Sequence, residues 1–186
     1  MLILASASPR RRELLCAAGI EHRVQAASVD ETPLAGEAPL PFVRRLARDK
    51  ASAIDLENDD IILGADTIVC LQGQVFGKPS DSSDAVRMLR QLSGRAHWVF
   101  TGICLRSRRH EIVDVVGTEV FFDELTDHEI ISYVETGEPL DKAGAYAIQG
   151  LASKFVREIR GCYQNVVGLP VSRVYRHFEA LWADQE

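Results

Sequence analysis

Residues 2–14, LILASASPRRREL, set the reading of the fold. Three apolar residues, Leu2–Leu4, make a short buried strand. Small residues follow, Ser8 is a good N-cap, and Pro9 suits the first helical position. A strand running into a helix through small residues is the opening of a layered α/β fold. The helix continues through Leu14, Leu15 and Ala18 and stops at Gly19. Arg10, Arg11 and Arg12 occupy its first turns, where the helix dipole favours acidic residues. Two readings fit. The arginines are solvated on an ordinary capped helix, or they and the outward N–H groups receive a polyanion, whose oxygens arginine grips bidentately.

Outward from this stretch the pattern alternates. Residues 20–29 are strand-like and end in a turn at Asp30-Glu31-Thr32-Pro33. A helix is expected after Pro41, with Phe42, Leu46 and Ala53 near one face. Residues 61–65 form a buried strand; Asp66-Thr67 follows, and residues 68–71 resume the apolar run. Gln72-Gly73 reads as a turn, with residues 74–76 returning. Asp81 caps a third helix with Ala85, Met88, Leu89 and Leu92 as its stripe and Gly94 as its stop. Strands are expected at 97–105 and 112–122, joined by an Arg-rich turn. Thr126-Asp127-His128-Glu129 is a capping box opening a helix that ends at Gly137. Residues 138–150 look like a loop, 154–159 like a strand, and Pro170 starts a last helix with Val174, Phe178 and Leu181 inward. Interleaved strands and helices with at least one hairpin predict an α/β fold, a mixed sheet flanked by helices, in one domain over residues 1–186.

Composition narrows the function. The 186 residues carry a net charge of -6, with 46% hydrophobic and 26% charged residues, and the pI is about 5.4. That balance argues against binding a nucleic-acid polymer, which favours a basic surface, and leaves room for a small anionic ligand. No apolar run is long enough for a membrane span, and the arginines follow the apolar run at the start, against a secretory signal. Cys16, Cys70, Cys104 and Cys162 are scattered without zinc spacing, and read as buried free thiols of a cytoplasmic protein.

Asp66 is the most informative residue, a carboxylate inside an apolar run. It is a general base or metal ligand, or it is satisfied locally by Thr67 and backbone N–H groups. Asp30-Glu31 offers a second carboxylate or is an exposed turn, and magnesium commonly takes one or two carboxylates plus substrate phosphates. Residues 73–79, GQVFGKP, fall one residue short of a phosphate loop, and Pro79 replaces the hydroxyl residue. Lys78 can still act as a point charge for phosphate, or simply belong to a turn. His22, His97, His110, His128 and His177 form no metal or catalytic spacing.

The blocks ASASPRRRELL, VDE, LARDKA, LGADTIV, GKP, LSGRAHWVFTG, EPLDKAGAYAIQG and NVVGLP, in this order over nearly the whole chain, resemble the Maf family of nucleoside triphosphate pyrophosphatases. The resemblance implies an inosine triphosphate pyrophosphatase-like fold with a cleft between two lobes, often as a homodimer. It implies hydrolysis between the α- and β-phosphates to a nucleoside monophosphate and pyrophosphate, with magnesium or manganese, and a role in removing non-standard nucleotides. Asp66 matches the proton acceptor, and Ser8, Arg10 and Arg11 match the phosphate-binding motif. Glu31, Lys50 and Lys78 match polar site residues, with Glu31 and Asp66 as metal ligands. Arg11, Thr67 and Gln149 match positions tied to dTTP and UTP specificity, and the form DKAGAYAIQG, residues 141–150, resembles that branch. The amide of Gln149 can pair with the O and N–H edge of uracil or thymine. The alternatives are the sibling 7-methyl-GTP activity, whose block SCAGSFKSEG is absent here, and a nucleotide-binding regulator of septum formation.

Overall fold

Strand β1 (Leu2–Leu4) is buried along its whole length and pairs in parallel with β2 (His22–Val24) and β3 (Ile61–Leu71). Leu2 faces Ile61 and Leu4 faces Leu63 in register. A computed structural model of the chain describes residues 1–57 and 59–184, so residues 58, 185 and 186 of the expected 1–186 span lie outside the described residues. The strand order is β2-β1-β3, then β5 (Ala96–Arg106), β6 (Glu111–Phe122) and β7 (Val156–Arg160), and β4 (Gln74–Phe76) pairs with β3. The β3–β4 and β6–β7 pairs are antiparallel, so the sheet is mixed, as expected. The helices are α1 (Pro9–Ala17), α2 (Pro39–Ser52), α3 (Ser82–Leu92), α4 (Asp127–Glu135), α5 (Tyr163–Val167) and α6 (Val171–Ala183).

The chain forms two compact units, and β3, β5 and β6 each contribute residues to both. The first contains Met1–Thr67, Thr101–Val116 and the described residues from Gly168 on. Its strands alternate, which builds a core on each face of the sheet. Leu2, Leu4, Ile61, Leu63, Ala65, Ile103 and Leu105 pack with Leu15 of α1 and Val171, Val174 and Leu181 of α6. The intervening residues Ile3, Ala5, Ile62 and Cys104 pack with Ala47 and Ala51 of α2 and with Ile54.

On the α2 face, Gly64 of β3 and Gly102 of β5 admit the helix backbone itself. A Cβ on Gly64 would lie 2.1 Å from the Ala47 carbonyl oxygen, and one on Gly102 2.3 Å from that of Val43. This close approach seats α2, and with it Lys50, against β3.

The second unit contains Ile68–Phe100 and Gly117–Val167. Its hairpin turns on Gln72 and Gly73, both at positive φ (51° and 85°), between the paired residues Leu71 and Gln74. Two left-handed residues in a two-residue loop match the sheet twist. Its core includes an aromatic cluster. Phe122 stands edge-on to His97 and Tyr146, and Tyr133 edge-on to Phe155. Asp81 Oδ1 accepts from the Asp84 N–H at 2.8 Å, and Thr126 and Glu129 form the capping box.

Several boundaries differ from the sequence reading. β2 covers only residues 22–24 of the expected 20–29, because it pairs on one side only and Val24 is already exposed. α2 starts at Pro39, not after Pro41. Both prolines fit in its first turn, and the first N–H bonded within the helix is that of Phe42, to the Ala38 carbonyl. Ala53 is exposed at its C-cap. Residues 61–71 form one uninterrupted strand, with Asp66 inside it. The stretch 138–150 contains two 3-10 turns, a third covers Leu151–Phe155, and β7 therefore begins at Val156. Helix α5, five residues long, is too short to show a periodicity. Cys16 is exposed and Cys162 half-buried; only Cys70 and Cys104 are the buried thiols expected of all four.

Candidate functional site

The three arginines of α1 have three different surroundings. Arg12 is exposed, Arg10 half-buried and Arg11 buried. The helix has no acidic residue in its first turn. Ser8 stands at the N-cap, but its side chain makes no capping bond; its own N–H donates to Ser6 Oγ at 3.2 Å. The first N–H groups of the helix have no acceptor within the helix. At its other end, Gly19 at φ +68° closes the helix, with its N–H on the Cys16 carbonyl and that of Ile20 on the Leu15 carbonyl.

Arg11 turns inward. Its Nε donates to the Gly168 carbonyl at 2.9 Å. One terminal nitrogen donates to Ser6 Oγ at 3.0 Å and to the Ala65 carbonyl at 2.9 Å, and the other to Thr67 Oγ1 at 3.1 Å. Four of its five N–H donors are thereby used on neutral acceptors among the described residues. Burial pulls the guanidinium below its ordinary value; the Asp66 carboxylate opposes that shift, and Arg10 adds to it. A guanidinium stays protonated regardless. Thr67 Oγ1 also lies 2.9 Å from Thr101 Oγ1 and donates to the Gly168 carbonyl at 3.3 Å.

The alternation of β3 sends Asp66 to the opposite face, toward α2. There Lys50 Nζ lies 2.6 Å from Asp66 Oδ1 and 2.6 Å from Glu31 Oε1. Lys50 and Asp66 are each 8% exposed, whereas the Glu31 side chain reaches out to solvent. The turn carrying Glu31 is fixed from both sides. The Thr32 N–H donates to Asp30 Oδ1 at 2.9 Å, and Arg45 of α2 donates to the Thr32 carbonyl at 3.1 Å and to both Glu37 oxygens at 2.8 Å. Charge-assisted bonds from Arg45 hold the Glu37 carboxyl down at about 2, burial opposing them.

Ser8, Arg10, Arg11, Glu31, Lys50, Asp66 and Thr67 all belong to the first unit. Lys78 and Gln149 belong to the second, and both are exposed there. Lys78 follows Gly77, whose carbonyl accepts the Gly144 N–H at 3.0 Å. Gln149 lies in a turn closed by the Gly150 N–H on the Ala147 carbonyl.

Sequence reasoning assigned no role to Thr101, Gly168, Gly64 or Gly102. Two signals were present. Thr101 is a hydroxyl inside an apolar strand, and Gly168 interrupts the apolar run of NVVGLP.

A carboxylate pair bridged by a buried lysine, and a buried arginine at a helix N-terminus, mark this α/β protein with a mixed sheet. The chain belongs to the Maf-like protein family, whose model matches residues 1–181. A dTTP/UTP pyrophosphatase of Koribacter versatilis is 53% identical over 176 residues, which cover 94% of this chain and 91% of that protein. One of Geobacter sulfurreducens is 50% identical over 185 residues, covering 98% and 97%. Among solved structures, the Staphylococcus aureus Ham1 protein aligns at 14% identity with a TM-score of 0.47, over 83% of this chain and 90% of that one. A nucleoside-triphosphatase / dITP/XTP pyrophosphatase from Mycobacterium abscessus aligns at 14% identity and a TM-score of 0.45, over 98% and 97%.

Proposed function

We propose that this chain hydrolyses nucleoside triphosphates, with dTTP and UTP preferred, to the nucleoside monophosphate and pyrophosphate. The family membership and the names of relatives at about half identity support the reaction class. The observation that carries it in this chain is the Lys50 ammonium, held at 2.6 Å from both Glu31 and Asp66, the two carboxylates whose charges also act on Arg11 of α1.

Arg10, the remaining N–H of Arg11 and the first N–H groups of α1 receive phosphate oxygens. Lys50 and Lys78 add point charges. Lys50 engages Oδ1 of Asp66, so Oδ2 is the oxygen that orients the attacking water and takes its proton. The water oxygen bonds to the α-phosphorus as the bond to the bridging oxygen of the β-phosphate breaks, and pyrophosphate leaves. Phosphoryl-type transfer depends mainly on positioning and charge, so ordered donors account for most of the work. Gln149 and Thr67 select the base.

The donors also fit magnesium or manganese. Glu31 and Asp66 supply hard oxygens, and no group of three or more potential ligands exists among the described residues, so the rest of the coordination falls to substrate phosphates and water. Glu31 and Asp66 would hold the ion, which when bound spreads phosphate charge.

A cytoplasmic location fits the four free cysteines, and no helix among the described residues is long and apolar enough to cross a membrane. A homodimer belongs to the same proposal and is checked by light scattering. The deciding experiment is pyrophosphate release from a panel of common nucleoside triphosphates and 7-methyl-GTP, with magnesium and with manganese. Preference for dTTP and UTP is expected. Preference for 7-methyl-GTP overturns the pyrimidine assignment, and no release from any of them overturns the enzyme reading.

A further inference from the structure

Gln149 is exposed, and an exposed amide discriminates between bases only if its backbone is held still. The second unit holds it from both sides with one carboxylate. Glu138 Oε1 accepts from the Tyr133 hydroxyl at 2.8 Å, and the same hydroxyl accepts from the Ala147 N–H at 3.2 Å. On the far side of Gln149, the Leu151 N–H donates to Glu138 Oε1 at 3.0 Å and Oε2 at 3.2 Å. Gly150 lies so close that a Cβ there would stand 2.4 Å from either Glu138 oxygen. Tyr133 is itself buried, edge-on to Phe155.

The residues at 147 and 151 are thus tied to one Glu–Tyr pair, and the turn between them presents Gln149. Glu138 opens the block EPLDKAGAYAIQG, yet neither the phosphate chemistry nor the base contact has used it.

We propose that Glu138, acting with Tyr133, is a positioning residue for base selection: it clamps the 147–151 turn so that Gln149 meets one pyrimidine edge and rejects others. The inference rests on Gln149 reading the base. The bonds of the clamp run among Glu138, Tyr133 and the Ala147 and Leu151 N–H groups, none of them assigned to phosphate or to the attacking water, so its loss changes discrimination and leaves the chemistry in place. Glutamine at 138 can keep Oε1 toward both the Tyr133 hydroxyl and the Leu151 N–H. Alanine keeps neither bond.

The test is the ratio of kcat/KM for dTTP over dCTP in Glu138→Ala, Glu138→Gln, Tyr133→Phe, Gln149→Ala and the Glu138→Ala/Gln149→Ala double variant, each checked by Tm. Glu138→Ala is expected to lower the ratio about tenfold through KM for dTTP, with kcat largely kept. Tyr133→Phe should lower it less and Glu138→Gln should restore most of it. The double variant should fall no further than Gln149→Ala alone. If Glu138→Ala lowers Tm but keeps the ratio while Gln149→Ala loses it, the clamp is only structural and the inference is overturned, with the base reading intact. If Gln149→Ala keeps the ratio, the base reading fails and the inference falls with it. Should Glu138→Ala not fold, Tyr133→Phe decides: an unchanged ratio overturns the clamp.

Discussion

Lys50 and Asp66 meet at 2.6 Å with both side chains almost fully buried, one from α2 and one from inside a β-strand. Glu31 lies at the same distance from the lysine but reaches solvent, so the ammonium has one inner and one outer carboxylate. In the proposed reaction the inner one serves as the base and the outer one as the group exchangeable toward a cation. Asp66→Asn leaves Lys50 paired with Glu31 and keeps the fold, and should lower kcat for dTTP about 10²–10⁴-fold with KM little changed. Glu31→Gln should instead raise the magnesium concentration needed for half-maximal rate. Initial rates of pyrophosphate release across a magnesium series separate the two. Near wild-type kcat in Asp66→Asn removes Asp66 from the base role.

Gly64 makes that meeting possible. Its missing Cβ would lie 2.1 Å from the Ala47 carbonyl and 2.6 Å from the Ala51 nitrogen, both backbone atoms that cannot swing aside. Gly64→Ala must therefore lift α2 from the sheet. Overpacking of this kind destabilises by about 1–3 kcal/mol, or about 2–12 °C in Tm at this chain length. The separation of Lys50 from Asp66 adds a loss of activity beyond what the lower Tm explains. Thermal scans with rates taken well below Tm check both parts. Gly19, which has nothing within 4 Å of a Cβ, serves as the control position: alanine there strains the backbone without moving α2.

Arg11 and Arg12 are neighbours in sequence and opposites in consequence. Arg11→Lys keeps the charge but cannot span the Gly168 and Ala65 carbonyls, Ser6 and Thr67 at once. Buried acceptors left unpaired cost about 1–3 kcal/mol each, so a loss of about 3 kcal/mol is expected in urea denaturation. Arg12→Ala, at an exposed position, should change stability by less than about 0.5 kcal/mol. Arg10→Ala should raise KM for triphosphate and leave stability alone. An Arg11→Lys protein as stable as wild type would mean that the buried network adds nothing.

The contrast among these arginines shows what the sequence made legible. The strand–turn–helix opening, the apolar stripes of α3 and α6, the hairpin at Gln72-Gly73 and the capping box at Thr126 follow from periodicity and turn chemistry, and the structure bears them out. Asp66 was visible as a carboxylate in an apolar run. Which arginine turns inward was not, because Arg11's acceptors come from residues 6, 65, 67 and 168, and no local rule joins those positions. The glycines under α2 were equally silent. In the sequence they interrupt a strand, and only the helix packed on them gives the reason. Strand and helix ends at 24, 39 and 156 were misplaced where pairing on one side, first-turn prolines or a 3-10 turn decided the boundary.

His97 gives the fold a pH limit in the mildly acid range. Its ring is 1% exposed and stands edge-on to Phe122 and Tyr146. Nε2 meets the Tyr146 hydroxyl at 2.9 Å, while Nδ1 has no partner among the described residues. Protonation would place a charge among aromatic rings with one N–H unpaired, and burial accordingly pulls the His97 imidazole down to about 4 from 6.5. Between those values the unfolded chain binds the proton and the folded chain does not. The stability contributed by neutral His97 is therefore complete above about 6.5 and is lost as pH falls toward 4. Between pH 7 and pH 5 this one group removes about 2 kcal/mol. In His97→Phe that part of the decline should vanish, whatever the variant's absolute stability, because phenylalanine has nothing to titrate. Urea midpoints at pH 7, 6 and 5 for both proteins measure it. Parallel declines would assign the acid sensitivity to the carboxylates and not to His97.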